Sequence, residues 1–373
     1  MNDRKKRIPD CVTVIAGLLA LLAFGLAALF AHGGEFNEWE RRYLADRPAA
    51  PDPMNWKTDR DTETFLTDHV PFRRALVALD STAQFLSGRN SQLGAWYASG
   101  AVIEPPVSVS AREIEKKLTR FGRIADSAGV PWLLLSPRSH GWLLKDRIFP
   151  LMGRAYDREA GGYALLDALP NAVKMPDAFN ADPDTMYYAT DHHWTLRGAY
   201  QAYLALAEAL DFPALPPDQF RITRYGGFRG TTLSRSGLPA LWQDTLACAE
   251  PGSPVTLTTT DRDGRNTYDR LIFPEQAESW DGYAVYLNGN HGTLVIECPD
   301  APEGTLIVYK DSMANCLLPM LSRHYRRIIA VDARYDSGVF SDALALSNDT
   351  KAILFIYSLD SLANDTEILR KAK

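Results

Sequence analysis

Residues 305–310 read TLIVYK, residues 326–332 read RRIIAVD and residues 352–358 read AILFIYS, three short runs of β-branched and other apolar residues. Residues 130–136, VPWLLLS, form a similar run earlier in the chain. Such runs are typical of strands that are buried on both faces of a parallel sheet. Helical patterns alternate with them, and residues 110–129 (SAREIEKKLTRFGRIADSAG) predict a helix that ends at its last glycine. The alternation predicts an α/β fold with helices on both faces of a mostly parallel sheet.

The composition is that of an ordinary globular protein. The 373 residues are 46% hydrophobic and 23% charged, which excludes a disordered chain, a collagen and a coiled coil. The formal net charge of −6 leaves no basic surplus to neutralise phosphates, so nucleic acid is not an expected partner. Four cysteines are too few and too scattered for a zinc ribbon or a disulfide scaffold. We therefore expect no metal and no cofactor.

An apolar stretch near the N-terminus predicts a membrane anchor. Residues 11–31 carry no charge, and a helix of this length crosses about 30 Å of hydrocarbon. A basic cluster at residues 4–7 precedes the stretch and acidic residues follow it, which places residues 1–10 in the cytoplasm and the rest of the chain outside. A cleavable signal peptide is the alternative, but its apolar region is shorter, about 7–15 residues.

The rest of the chain divides into a lead-in and a main domain. Residues 32–105 are charged, aromatic and proline-rich, which is typical of a stalk, and a helix is predicted around Phe65–Leu86. Residues 106–373 carry the α/β pattern, including a helix at roughly Leu196–Leu210. Residues 220–300 interrupt this rhythm with segments rich in Gly, Asn and Thr, so we expect an insertion of hairpins and long loops there.

The segment TDHHWT, residues 190–195, carries residues suited to nucleophilic catalysis. It lies just before the helix predicted above, and Thr195 is a suitable N-cap for that helix. Residues two apart in an extended chain share a face, so Asp191 can orient the imidazole of His193 while His192 points elsewhere. The alternative is a polar loop in which the two histidines are structural.

The segment VYKDSMAN, residues 308–315, is predicted to leave a buried strand through a sharp turn into a helix. Reactive residues of parallel sheets lie at such strand ends. Ser312 can present its hydroxyl there, with backbone N–H groups nearby for an oxyanion, although an N-cap role is the alternative. Arg138 and His140 follow the strand at 130–136 in the same way, and we interpret them as candidates for the substrate pocket or as ordinary loop residues.

The residues TDHHWTLRGAY (190–200) and VYKDSMANCLLPML (308–321), followed by VDARY (331–335), together resemble the DHHW proteins. These are bacterial membrane-anchored relatives of the alginate O-acetyltransferases in the SGNH-hydrolase-like superfamily. The lead-in segments FNEWERRYLADRP (36–48) and FLTDHVPFRRALVAL (65–79) are also similar to that family, so the resemblance covers nearly the whole chain. It implies a flavodoxin-like α/β/α sandwich, preceded by one transmembrane helix, in a single-pass protein of the bacterial cell membrane.

The resemblance also implies the roles of individual residues. By position, Ser312 matches the nucleophile, His193 the base and Asp191 the orienting acid. Either histidine of the pair fits the base, and the spacing favours His193. Lys310 stands where the wider superfamily often has a glycine. The further candidates for the oxyanion hole or the substrate pocket are His192, Asn290, Asn315, Arg334, Tyr335, Arg138 and His140.

The function implied is that of an extracytoplasmic Ser-His-Asp acyltransferase that O-acetylates an exopolysaccharide or a cell-wall glycan. Because acetyl-CoA is absent outside the cell, the family context implies a multi-spanning membrane acyltransferase as the acyl donor. The alternatives are a non-catalytic polysaccharide-binding or assembly scaffold with the same fold, and a carbohydrate esterase. Metal binding by His192 and His193 is less favoured, because no further ligands follow at suggestive spacing.

Overall fold

The chain divides into two compact units. One, the N-terminal unit, comprises residues 1–89 with residues 237–239, and the other, the main unit, comprises residues 90–236 with residues 240–373. Residues 90–105, which the sequence pattern groups with the lead-in, therefore belong to the main unit. The computed structural model describes residues 3–31, 34–48, 56–98, 100–239, 242–261 and 264–372.

The described residues form fifteen α-helices and fourteen β-strands. The helices are α1 (Asp3–Leu29), α2 (Trp56–Asp68), α3 (Arg73–Leu86), α4 (Ala111–Ala128), α5 (His140–Leu144), α6 (Pro150–Ala155), α7 (Ala160–Asp167), α8 (Ala178–Ala181), α9 (Pro183–Met186), α10 (Leu196–Ala209), α11 (Thr231–Arg235), α12 (Leu318–Leu321), α13 (Phe340–Leu344), α14 (Leu359–Asn364) and α15 (Thr366–Lys371). The strands are β1 (Phe36–Asn37), β2 (Arg42–Tyr43), β3 (Ser91–Gln92), β4 (Ala95–Ala98), β5 (Ala101–Ile103), β6 (Trp132–Leu135), β7 (Arg221–Phe228), β8 (Asp244–Glu250), β9 (Thr256–Asp261), β10 (Gly264–Tyr268), β11 (Thr293–Glu297), β12 (Glu303–Lys310), β13 (Tyr325–Val331) and β14 (Thr350–Ile356).

The N-terminal unit contains α1, α2 and α3. Helix α1 covers most of the apolar stretch at residues 11–31, but no helix in the described residues is both long enough and apolar enough to span a bilayer. The membrane anchor expected at residues 11–31 therefore stays a prediction. The single helix predicted over Phe65–Leu86 is instead two helices, because Pro71 disfavours helical backbone at the residue before it and Phe72 takes a left-handed conformation with φ 60°.

A seven-stranded sheet forms the centre of the main unit, with the strand order β10-β9-β11-β13-β12-β14-β6. The four strands β13, β12, β14 and β6 run parallel, whereas β11, β9 and β10 continue the sheet in antiparallel pairs. Antiparallel pairs do form within residues 220–300, as β7–β8 and as the hairpin β9–β10, but β9, β10 and β11 extend the main sheet instead of being inserted on it. Leu294 and Ile296 are buried and alternate with half-buried neighbours along β11, which is the pattern of a packed strand.

Alternating side chains of the parallel strands bury both faces of the sheet. On β12, Leu306 and Val308 belong to a core shared with α10 and α12, whereas Ile307 and Tyr309 pack into a second core with α4, α13, α14 and α15. This is the period of two expected of a strand that is covered on both sides. The predicted α/β fold with helices on both faces is confirmed.

The four parallel strands end at one edge of the sheet, and this edge carries the candidate residues. Strand β12 ends immediately before Asp311 and Ser312, and β13 ends before Asp332. In open α/β sheets, ligands bind outside these carboxyl ends. The loop at residues 190–195 reaches the same edge, because it leads into α10 on one face of the sheet.

Candidate active site

In the turn after β12, the N-cap residue is Asp311 and not Ser312. Ser312–Ala314 form one turn of 3₁₀ helix, and the cap of this turn is Asp311, whose Oδ1 accepts a hydrogen bond from the Met313 amide at 2.9 Å. Its Oδ2 accepts hydrogen bonds from the Ser358 amide and the Ser361 hydroxyl, both at 2.8 Å. Asp311 therefore fixes the turn from both sides, and the hydroxyl of Ser312 has a different partner.

The loop at residues 190–195 folds around the carboxylate of Asp191. Its Oδ1 accepts hydrogen bonds from the backbone amide of His193 at 3.0 Å and from the Nδ1 of the same residue at 2.5 Å. Its Oδ2 accepts a hydrogen bond from the Thr231 amide at 2.5 Å. Thr195 ends the loop and caps α10 by accepting from the amide of Gly198 at 3.2 Å. The carboxylate is thus saturated with donors that hold the ring of His193 in one orientation.

His193 joins the loop to the turn after β12. Its Nε2 lies 2.9 Å from the Oγ of Ser312. Because Nδ1 donates its proton to Asp191, Nε2 is the unprotonated nitrogen and accepts the proton of the serine hydroxyl. Asp191, His193 and Ser312 therefore form a hydrogen-bonded chain, which is the geometry that a serine nucleophile, its general base and an orienting acid require.

His193 is neutral at physiological pH. Burial lowers the pKa of this histidine to about 4, the nearby His192 acts in the same direction, and Asp191 opposes the shift. The ring of Tyr283 stacks on His193 with the two centroids 3.7 Å apart. This ring covers one face of the imidazole and removes water from it, so the neutral form of the ring is favoured and its Nε2 can accept a proton.

Distant residues support the position of Asp191. Asp244 on β8 accepts hydrogen bonds from the Thr190 amide at 2.8 Å and the Thr190 hydroxyl at 2.6 Å. Gly230 packs directly on this loop, since a Cβ there would lie 2.3 Å from both the Cβ of Asp191 and the carbonyl oxygen of Thr190. Only glycine permits such an approach. The sequence-based prediction missed these supporting residues and also Tyr283, because their partners lie 39 or more positions away in sequence.

His192 and His193, which the sequence left as alternatives for the base, have different contacts in the structure. The Nδ1 of His192 lies 3.6 Å from Asp191 and 3.8 Å from Glu104, and its ring is partly exposed. The ligand atoms of Asp191, His192 and His193 lie within 4.8 Å of one another, close enough to hold a metal ion. Both ring nitrogens of His193 already have hydrogen-bond partners in Asp191 and Ser312, so we assign no metal to this cluster.

Beside Ser312 lies a relay of two amides that starts at a buried lysine. The ammonium of Lys310, which is fully buried, donates to the Oδ1 of Asn315 at 2.8 Å. The Nδ2 of Asn315 then donates to the Oδ1 of Asn290 at 3.1 Å. Because a lysine only donates, the orientation of both amides follows from it, and the NH₂ group of Asn290 points away from Asn315. Burial lowers the pKa of Lys310, and the carboxylate of Asp332, 3.9 Å away, opposes this shift.

Arg334 and Tyr335 complete this side of the strand edge. The guanidinium of Arg334 makes two hydrogen bonds to Asp332, at 2.9 and 2.7 Å. Burial raises the pKa of Tyr335, and the positive charge of Arg334 opposes that shift. Tyr335 is 41% exposed, so this group of polar residues extends from the interior to solvent.

Arg138 and His140 have other partners. Arg138 forms an ion pair with Asp167 at 2.5 Å and lies over the ring of Tyr163. His140 is buried at the start of α5 and stacks on Tyr187, with the ring centroids 5.1 Å apart. These contacts do not bring either residue to Ser312, so the structure gives them no part in the hydrogen-bonded chain.

A family model described as DHHW protein matches residues 179–331, a range that contains Asp191, His193 and Ser312. The chain carries a DHHW domain. Among solved structures, a DHHW family protein from Eubacterium siraeum DSM 15702 is 19% identical, covering 75% of this chain and 96% of that chain with a TM-score of 0.59. Bacillus cereus PatB1 is 20% identical, covering 73% and 98% with a TM-score of 0.60. PatB1 with a sulfonyl adduct is similar at 19% identity, covering 73% and 96%, also with a TM-score of 0.60.

At this level of identity, the similarity to solved structures shows the α/β fold alone. No curated protein matches the chain. The chemistry of the DHHW domain is therefore argued below from the geometry of its own residues.

Proposed function

We propose that this protein is an acyltransferase of the SGNH-hydrolase type that transfers an acetyl group to a hydroxyl of a cell-envelope glycan. The observation that carries the proposal is the chain of hydrogen bonds from Asp191 through His193 to Ser312. A structural serine has no need of a buried, neutral imidazole at 2.9 Å that a carboxylate holds in one tautomer. A non-catalytic scaffold has no use for this arrangement either.

The first half of the reaction forms an acyl-enzyme. The Oγ of Ser312 attacks the carbonyl carbon of the acyl donor while its proton moves to the Nε2 of His193. Asp191 stabilises the imidazolium that results. The tetrahedral intermediate collapses, the bond to the leaving group breaks, and the leaving group takes the proton from His193.

The second half regenerates the serine. A sugar hydroxyl attacks the acyl carbon and gives its proton to His193. The bond between the carbonyl carbon and the Oγ of Ser312 then breaks, and Oγ recovers the proton. The products are an O-acetylated sugar and the free enzyme, and water in place of the sugar gives hydrolysis.

The oxyanion of both intermediates needs hydrogen-bond donors near Ser312. The backbone amide of Ser312 has no acceptor among the described residues, so it is available for this role. The NH₂ group of Asn290 points away from Asn315, and we assign it as the second donor. Asn315 then acts by holding Asn290, and Arg334 and Tyr335 line the side on which the substrate enters.

The location and partners are part of the same proposal. The basic residues 4–7 and the apolar residues 11–31 support a single-pass anchor in the bacterial cell membrane, with the rest of the chain outside the cytoplasm. A multi-spanning membrane acyltransferase would then supply the acetyl group. Carbonate extraction of a membrane fraction tests the anchor, because an anchored chain stays in the pellet and a released chain does not.

The catalytic part is tested by hydrolysis of 4-nitrophenyl acetate by the full chain. Ser312→Ala and His193→Ala are each expected to abolish the activity, while Ser341→Ala, which changes an exposed serine outside the site, is expected to retain it. Equal rates in all four proteins would contradict the proposal. Adding chito-oligosaccharides then separates a transferase, which yields acetylated sugar by mass spectrometry, from an esterase, which yields acetate alone.

A further inference from the structure

A cavity of about 460 Å³ lies between helix α10 and the two-stranded sheet β7–β8. Ser312, His193 and Asp191 do not line it. Its volume lies within the range of about 300–1,000 Å³ that is typical of small-molecule sites. This cavity is therefore separate from the catalytic chain and large enough for a ligand.

The cavity exists because the hairpin turns small residues toward α10. Ala247 and Ala249 alternate along β8 and share one face, and their cross-strand neighbours on β7 are Arg224 and Ile222. Opposite them, α10 contributes larger apolar side chains such as Tyr200. Two alanines in a layer that otherwise carries large side chains leave unfilled apolar space, which close-packed interiors rarely contain.

The charged residues of the cavity are both cationic. Arg224 and Arg197 line it, and both are exposed, so they lie where the cavity opens to solvent. Arg224 has no ion-pair partner in the described part of the chain, and Arg197 has only a long contact of 3.7 Å to Asp182. No acidic residue lines the cavity. An apolar interior with arginines at the opening favours a ligand with an apolar body and an anionic head.

We propose that this cavity binds a single-chain anionic amphiphile, of which a long-chain carboxylate is the simplest form. The alkyl chain lies against Ala247, Ala249 and Tyr200, where it displaces water from apolar surface. The carboxylate pairs with Arg224 and Arg197 at the opening. The binding site and its ligand class do not depend on the acyl-transfer chemistry proposed above.

Titration calorimetry of the full chain with decanoate at pH 8 tests this inference, with 1-decanol as the neutral probe of equal chain length. Ala247→Phe fills the cavity and is expected to abolish decanoate binding. Arg224→Glu is expected to weaken decanoate binding about tenfold and to leave 1-decanol binding unchanged. Arg265→Glu, the same charge change on exposed β10, is the matched control and is expected to bind like the wild type.

Two results would overturn the proposal. Decanoate binding that survives Ala247→Phe is binding elsewhere, for example on the exposed apolar surface of α1. If Arg224→Glu and Arg265→Glu weaken decanoate binding equally, the carboxylate does not pair with the arginines at the opening of the cavity. If Ala247→Phe fails to fold by circular dichroism, Thr245→Phe replaces it, since Thr245 is exposed and lines the same cavity.

Discussion

His193 and His140 are both buried and near the carboxyl ends of strands, and burial lowers the pKa of each to about 4. Their hydrogen bonding differs completely. Both ring nitrogens of His193 have partners, Asp191 and Ser312. Neither ring nitrogen of His140 has a hydrogen-bond partner in the described residues, and its ring stacks on Tyr187. Burial and a lowered pKa are therefore common to both histidines, and the proposed role of His193 as the base rests on its two partners, a serine on one nitrogen and a carboxylate on the other.

Removing the carboxylate of Asp191 leaves the Nδ1 of His193 without its acidic partner, as in His140. This change is expected to cause the largest loss of activity. Asp191→Asn keeps the size of the side chain but cannot stabilise an imidazolium or fix the tautomer. We expect the rate of 4-nitrophenyl acetate hydrolysis to fall by about 10³–10⁴-fold. An activity within a few-fold of the wild type would show that the base does not depend on this residue.

Moving the carboxylate of Asp191 without removing it is expected to cause a smaller loss of activity. Gly230→Ala places a methyl group 2.3 Å from the Cβ of Asp191, so the loop must shift. We expect a rate loss of about 10–100-fold, because small misplacements of catalytic groups are costly. Gly226→Ala is the matched control, since a Cβ there meets nothing within 4 Å, and equal rates in the two variants would contradict the assigned role of Gly230.

A substitution of Lys310 tests the hydrogen bonds beside Ser312, whereas the two variants above test those that hold His193. Lys310→Met keeps the length of the side chain but removes the donor that orients Asn315 and, through it, Asn290. Asp332 keeps its two hydrogen bonds from Arg334. We expect kcat to fall about tenfold with little change in KM, because a disturbed oxyanion donor acts on the transition state. A change in KM alone would contradict this, and Lys351→Met, at an exposed position near the start of β14, is the control.

The pH dependence of the free energy of unfolding tests the lowered pKa that His193 and His140 share. A histidine with a pKa of about 4 in the folded state and 6.5 in the unfolded state binds more protons when unfolded between these values. The free energy of unfolding is therefore complete above pH 6.5 and falls as the pH drops toward 4. His140→Phe removes one such group, so the slope between pH 6.5 and 4 is expected to decrease by about 1.4 kcal/mol per pH unit. Urea titrations across this range measure it, and an unchanged slope would contradict the burial effect.

The sequence predicts the local parts of this site and not the contacts between distant segments. The parallel strands follow from apolar runs, and the pairing of Asp191 with His193 follows from their spacing of two residues. The positions of Gly230 and Tyr283 against that pair do not follow, because the sequence predicts only hairpins and long loops over residues 220–300. Both residues contact partners that are distant in sequence, Asp191 and His193, so composition and periodicity contain no signal for these contacts.

Covalent labelling with phenylmethylsulfonyl fluoride is the most direct test of the central claim. Ser312 is expected to displace fluoride and carry the sulfonyl group in the wild type and in His140→Phe, while His193→Ala, which lacks the base, remains unlabelled on the same timescale. Peptide mapping by mass spectrometry identifies the modified residue. Labelling of Ser312 that is independent of His193, or a wild-type protein that is not labelled there, would contradict the assignment of this site.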